Sequence, residues 1–150
     1  MATSGTELTD PIVSNLDIAK TFDDNIEDIN GLAFSDNGDF LVTSSLDDSL
    51  NCYKISSGTK ENTFYSREEG IANMTYTHHV SNVLCSANKG NDRGIRYWSM
   101  YDNSIVATYR GHEDKILDIK MNPASDAFVT TEMSRMCLWD LRAATLQGSC

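Results

Sequence analysis

One phrase is written three times along this chain, and it limits the possible folds more than composition does. Thr-aromatic dipeptides stand at Thr21-Phe22, Thr63-Phe64 and Thr108-Tyr109. Seven residues after each aromatic comes an isoleucine: Ile29, Ile71 and Ile116. Three and five residues further on are apolar positions: Leu32 and Phe34, Met74 and Tyr76, Ile119 and Met121. Each copy later carries apolar-x-x-aromatic-x-apolar, as Leu50, Tyr53, Ile55, then Ile95, Trp98, Met100, then Met136, Trp139, Leu141. The offset is 42 residues to the second copy and 45 more to the third. A period of this length marks stacked units whose faces are buried only by their neighbours.

Inside each copy, runs of five or six residues alternate with Gly/Asp/Ser turns, which is strand-and-hairpin text. The first copy predicts strands over 29–34, 40–45, 50–55 and 60–65, with Asp36-Asn37-Gly38 as a hairpin turn. The second predicts 71–76, 83–87, 95–100 and 105–109, with a polar loop over 88–94. The third opens on Gly111-His112 and closes on Trp139-Asp140. Those two dipeptides, around three short apolar runs, resemble one blade of a WD-repeat β-propeller, a four-stranded sheet of roughly 40–45 residues. The fold class predicted is all-β, a partial WD40-repeat β-propeller with three blades, near 26–65, 66–109 and 110–150. Residues 1–16 read as a flexible tail, and Asp10-Pro11-Ile12-Val13 as a break in any helix. Residues 18–22 read as a strand, the outer strand that commonly closes such a ring. The period places the end of the third blade's outer strand at or beyond the final residue, Cys150, so that strand is expected to be missing.

Composition excludes several function classes. Apolar content of 40% and charged content of 23% are ordinary for a globular chain. There is no apolar run long enough to cross a membrane as a helix, and residues 1–10 lack the basic and apolar regions of a secretory signal. The four cysteines Cys52, Cys85, Cys137 and Cys150 are scattered without a Cys-x-x-Cys, and read as reduced thiols rather than metal ligands or disulfides. Net charge is −10, with 11 acidic and 3 basic residues in 1–60 and 11 acidic and 9 basic in 61–150. That balance disfavours direct DNA binding, because phosphates must be met by Lys and Arg. It suits solubility, and also a basic partner such as a histone tail.

The polar residues of the motif carry a structural chemistry. In a WD blade a loop His bonds a Ser or Thr of the second strand, which bonds the Trp indole of the third, while a turn Asp orients the His. Buried polar groups must be paired, so such a network pins the strands. The third blade offers His112, Thr130 or Thr131, and Trp139, but Met133 or Ser134 stands where the turn Asp belongs. The first offers Asp47 with Tyr53 for the Trp; the second offers Asp92 and Trp98 but no His. His78-His79 reads as a turn, with no carboxylate or Cys partner at ligand spacing. Asn73-Met74-Thr75 matches a glycosylation sequon on a predicted inner strand and is discounted. No nucleophile–base pair, phosphate loop or metal set stands out, so neither an enzyme nor a cofactor or small-molecule ligand is expected.

The text Asp48-Ser49-Leu50-x-x-Tyr53, Tyr76-Thr77-His78, Ile95-Arg96-Tyr97, Tyr101-Asp102-Asn103, Tyr109-Arg110-Gly111-His112 and Leu138-Trp139-Asp140-Leu141-Arg142 resembles one family more closely. It is similar to the WD-repeat subunit of COMPASS, the SET-domain complex that methylates histone H3 at lysine-4, over its N-terminal half. The resemblance implies a seven-bladed nuclear propeller without catalytic activity. Its implied partners are the methyltransferase and other complex subunits, with RNA polymerase II and chromatin contacted indirectly. A related assembly with a phosphatase acts in transcription termination. The alternative is a substrate receptor of a cullin–RING ubiquitin ligase, docking through Asp140 and Arg142 of Trp139-Asp140-Leu141-Arg142.

Overall fold

The computed structural model describes residues 7–149, which form one short helix and twelve strands. Strands β1 (Ile29–Phe34), β2 (Phe40–Ser45), β3 (Ser49–Lys54) and β4 (Thr59–Tyr65) make a first antiparallel sheet in chain order. Strands β5 (Ala72–Tyr76), β6 (Asn82–Ser86), β7 (Ile95–Ser99) and β8 (Ser104–Tyr109) make a second. Strands β9 (Asp118–Met121), β10 (Ala127–Thr131), β11 (Met136–Asp140) and β12 (Ala143–Ser149) make a third. The first strands lie side by side, β5 between β1 and β9, as innermost strands around a common axis must.

Local chemistry sets these boundaries. Gly38, with φ of 73°, supplies the left-handed residue of the β1–β2 turn. Strands β5 and β10 alternate in burial residue by residue, as half-buried strands do. In every sheet the pairing of the third and fourth strands shifts register beside the aromatic, at Tyr53, Trp98 and Trp139, with the extra residue on the fourth strand. Such irregularities re-aim a side chain within the pleat.

The core lies between sheets. Val42, Leu50 and Cys52 of the first sheet pack with Met74, Tyr76, Val83, Cys85 and Trp98 of the second. Leu84, Ile95 and Tyr109 on the other face of the second pack with Ile119, Phe128, Cys137 and Trp139 of the third. A fully buried large apolar side chain contributes about 1.5–3 kcal/mol, so packing between sheets outweighs what an isolated hairpin could gain. The repeated Thr-aromatic works here: Phe64 meets Trp98 with ring centroids 6.1 Å apart, and Tyr109 meets Trp139 at 6.0 Å. A polar device repeats beside it. Asn30, at an irregularity in β1, donates its amide to the Ile71 carbonyl of the next sheet (2.9 Å); Asn73, at the matching irregularity in β5, donates to Ile116 (2.8 Å).

Three expectations change. The third sheet does have its outer strand: β12 pairs with β11 from Asp140↔Ala143 to Cys137↔Ser149. A tight turn at 141–142 brings the chain back sooner than the 42-residue offset implies. Residues 18–22 are not a strand; nonetheless Phe22 lies 4.5 Å from the Tyr53 ring, in the relation that Phe64 bears to Trp98. Helix α1 spans Asp10–Ser14, where a helix break was predicted, because Pro11 falls in the first turn and its missing N–H costs nothing there. Of the predicted tail over 1–16, residues 1–6 lie outside the described residues, as does Cys150.

Candidate functional site

The polar residues of each sheet occupy one shared rung. Thr43 faces Asn51, Cys85 faces Arg96, and Thr130 faces Cys137 across the second and third strands. The aromatic lies two residues further along, at Tyr53, Trp98 and Trp139.

In the third sheet this rung is a closed network. The Trp139 indole N–H donates to Thr130 Oγ1 at 2.7 Å, and the same oxygen lies 2.7 Å from His112 Nε2. His112 Nδ1 is 3.2 Å from Glu132 Oε2. All four residues are buried. Thr131, the other candidate, is one residue out of phase. Its backbone carbonyl accepts from the Leu117 N–H instead. Glu132 is the residue that sequence reasoning missed. No Asp stands at Met133 or Ser134, yet Glu132, just past β10, reaches the same imidazole with a side chain one methylene longer. Its Oε2 also accepts the Asp114 N–H at 2.9 Å, and Arg135 holds Oε1. Burial alone would raise this carboxyl. The Asp114 amide, the Arg135 guanidinium and His112 outweigh it and hold Glu132 at about 2.

The other two sheets depart from this pattern. Asp47 accepts the Ile26 N–H at 2.9 Å and the Ser49 N–H at 3.0 Å, tying the N-terminal segment to the β2–β3 turn rather than orienting a histidine. Burial opposes its ionisation, but the Ser49 side chain and these amides lower Asp47 to about 2. Asp92 accepts from the Gly94 amide and from Arg110, both at 2.9 Å. The Trp98 indole donates to Asn103 in its own β7–β8 turn at 3.1 Å, not to Cys85, which stands in β6 where Thr130 stands in β10. The buried Arg96, at the register position of Cys137, bonds Ser66 Oγ at 3.0 Å and Glu69 at 2.6 Å. The structure therefore joins His112, Thr130 and Trp139, and leaves Asp47, Asp92, Trp98 and Thr131 in separate local roles.

The docking candidates Asp140 and Arg142 hold each other. Arg142 Nε and Nη2 donate to the two Asp140 carboxylate oxygens at 2.9 and 2.6 Å, which lowers Asp140 to about 2. The Arg142 side chain is 75% exposed. His78 lies in the β5–β6 connection, where Nδ1 meets Asp36 of the first sheet and Nε2 is 3.1 Å from the Ser125 carbonyl of the third.

Sequence comparison adds the family context. The WD40 model, described as WD domain, G-beta repeat, matches residues 17–54. Protein ANTHESIS POMOTING FACTOR 1 of Arabidopsis thaliana is 35% identical over 147 residues, covering 95% of this chain and 44% of that protein. The Set1 complex component swd2 of Schizosaccharomyces pombe is 31% identical over 124 residues, covering 82% of this chain and 34% of that protein. The COMPASS component SWD2 of Saccharomyces cerevisiae is 30% identical over 120 residues, covering 79% of this chain and 36% of that protein. The chain spans less than half the length of these curated relatives. Three four-stranded sheets around one axis and these matches make the chain a set of WD40 repeats folded as part of a β-propeller, with homologues among the Swd2 components of Set1 and COMPASS complexes.

Proposed function

We propose that this chain is a non-catalytic scaffold component of a nuclear Set1/COMPASS-type complex that methylates histone H3 at lysine-4, coupled through its partners to RNA polymerase II transcription. The observation that carries this reading is its similarity to two Set1/COMPASS components across 79–82% of its length. The geometry supports it in a second way. Among the described residues, the conspicuous buried polar groups fasten strands and sheets to one another, as in the His112–Thr130–Trp139 network. What the fold offers a partner is surface: exposed loops, sheet faces and a net charge of −10, which favours basic protein segments over nucleic acid. The test is affinity purification of the tagged protein from nuclear extract, followed by mass spectrometry. A SET-domain methyltransferase and its companion subunits should co-purify. Recovery of neither those nor a termination-phosphatase subunit overturns the proposal.

A further inference from the structure

We propose that His112, Glu132 and Cys137 form a binding site for a zinc-class divalent transition-metal ion between the second and third sheets. Three separate stretches deliver the donors: the β8–β9 connection, the residue after β10, and β11. His112 Nδ1 lies 3.2 Å from Glu132 Oε2 and 3.9 Å from Cys137 Sγ. The three donor atoms all fall within 4.8 Å of one another, and all three residues are buried.

Those separations match what a tetrahedral ion needs. Zinc with Zn–S of about 2.3 Å and Zn–N and Zn–O of about 2.0–2.1 Å sets N···O near ~3.3 Å and S···N near ~3.6 Å. The His112–Glu132 and His112–Cys137 edges reach those values with shifts of a few tenths of an ångström, and the Glu132–Cys137 edge, which lies within 4.8 Å, closes to about 3.6 Å on binding. A thiolate, an imidazole and one carboxylate select a borderline-soft ion over calcium or magnesium. Supporting groups already fix two of the ligands. Thr130 Oγ1 holds the far imidazole nitrogen at 2.7 Å, and Arg135 holds the far Glu132 oxygen. An open cleft of about 430 Å³, lined by Arg110, Gly111, His112 and Asp92, lies beside the cluster, and the buried donors must open toward it to admit an ion.

Protons balance simply. The Cys137 thiol gives its proton to solvent. The imidazole moves its proton from Nδ1 to Nε2, where Thr130 Oγ1 accepts it alongside the Trp139 N–H. Binding thus releases one proton per ion, and without metal the His112–Glu132 hydrogen bond holds the same residues in place.

The experiment is a cobalt(II) titration of the purified full chain, followed by zinc. Cobalt should bind at one equivalent with a near-ultraviolet thiolate charge-transfer band, and zinc should erase that band. Cys137→Ser, isosteric on β11, should lose the band while keeping the far-ultraviolet circular dichroism of the parent. Glu132→Gln should weaken binding by more than about tenfold. X-ray absorption of the zinc-loaded parent needs no variant, and should give one sulfur with nitrogen and oxygen neighbours. A parent without the band, a band that survives in Cys137→Ser, or a zinc shell with no sulfur or with two overturns the site.

Discussion

Thr130 and Thr131 are neighbours that the sequence offers equally, and strand phase separates them. Only Thr130 points between the sheets, where Trp139 and His112 both depend on its hydroxyl. Thr130→Val keeps the shape but strands two buried polar groups, each worth about 1–3 kcal/mol, so a loss of about 2–4 kcal/mol is expected in urea unfolding. Thr131→Val should stay within about 0.5–1 kcal/mol of the parent. Equal losses would mean the hydroxyl network does not hold the sheet. Asp47 gives a pH-dependent counterpart. Its carboxyl is lowered to about 2 in the folded chain, so its stabilisation is present above about 3.9 and is lost as pH falls through about 2. Acid titration of Asp47→Asn should therefore show a flatter fall of stability over that window. The Gly111-His112 and Trp139-Asp140 dipeptides offered His112 and Trp139 with Thr130 or Thr131 between them, and strand phase selects Thr130. Glu132 was not legible, since the pattern looks for a carboxylate in the turn and side-chain reach is invisible in spacing. The available signal was a strand-end carboxylate three residues before Arg135.

At the scale of elements, eleven of the twelve strands stand where the repeated phrase put them or follow from its third copy; β12 was hidden by assuming a constant offset. Segment 18–22 shows why a motif can be read correctly and its secondary structure wrongly. The apolar contact of Phe22 on Tyr53 is kept, supported by Lys20 on the Gly58 carbonyl and Asn25 on Ser49, without the ladder that would make a strand. Asn30 and Asn73 were opaque for another reason: only when the irregularities of β1 and β5 turn them toward the next sheet does their recurrence gain meaning. His78 likewise links connections of three sheets. Both its ring nitrogens face acceptors, the Asp36 carboxylate and the Ser125 carbonyl, with the Asn122 carbonyl nearby, so the imidazolium is the form that satisfies the contact. Its pKa is raised, chiefly by Asp36 and then by Ser125. The stabilisation is then complete below about 6.5 and is lost as pH rises through the folded value. The melting temperature should fall between pH 6 and pH 9 by more in the parent than in His78→Asn. Parallel pH profiles for the two proteins would remove His78 as a link between sheets.

Among the described residues, the first and third sheets each present one face that no other described sheet covers. On the first sheet Ile29, Leu32 and Phe34 of β1 are exposed at 52%, 64% and 56%. On the third, Met136 and Leu138 of β11 are exposed at 46% and 45%. In β10, the same alternation that buries Phe128 and Thr130 turns Val129 to the open side. Repeat arrays gain stability at each interface between units, so the middle sheet, covered on both faces, should be the most protected part of this chain. Amide exchange should therefore be slowest in β6 and β7, and faster in β1 and β12. The 150-residue chain alone should also bind a hydrophobic dye at neutral pH and self-associate as concentration rises. Replacing Leu32 and Leu138 together by Gln leaves both buried clusters untouched, so it should reduce dye binding and association while preserving the fold. A dye-negative parent monomer with a single cooperative transition and uniform amide protection would mean that these faces are not surfaces awaiting a neighbour. The scaffold reading would then have to rest on the loops.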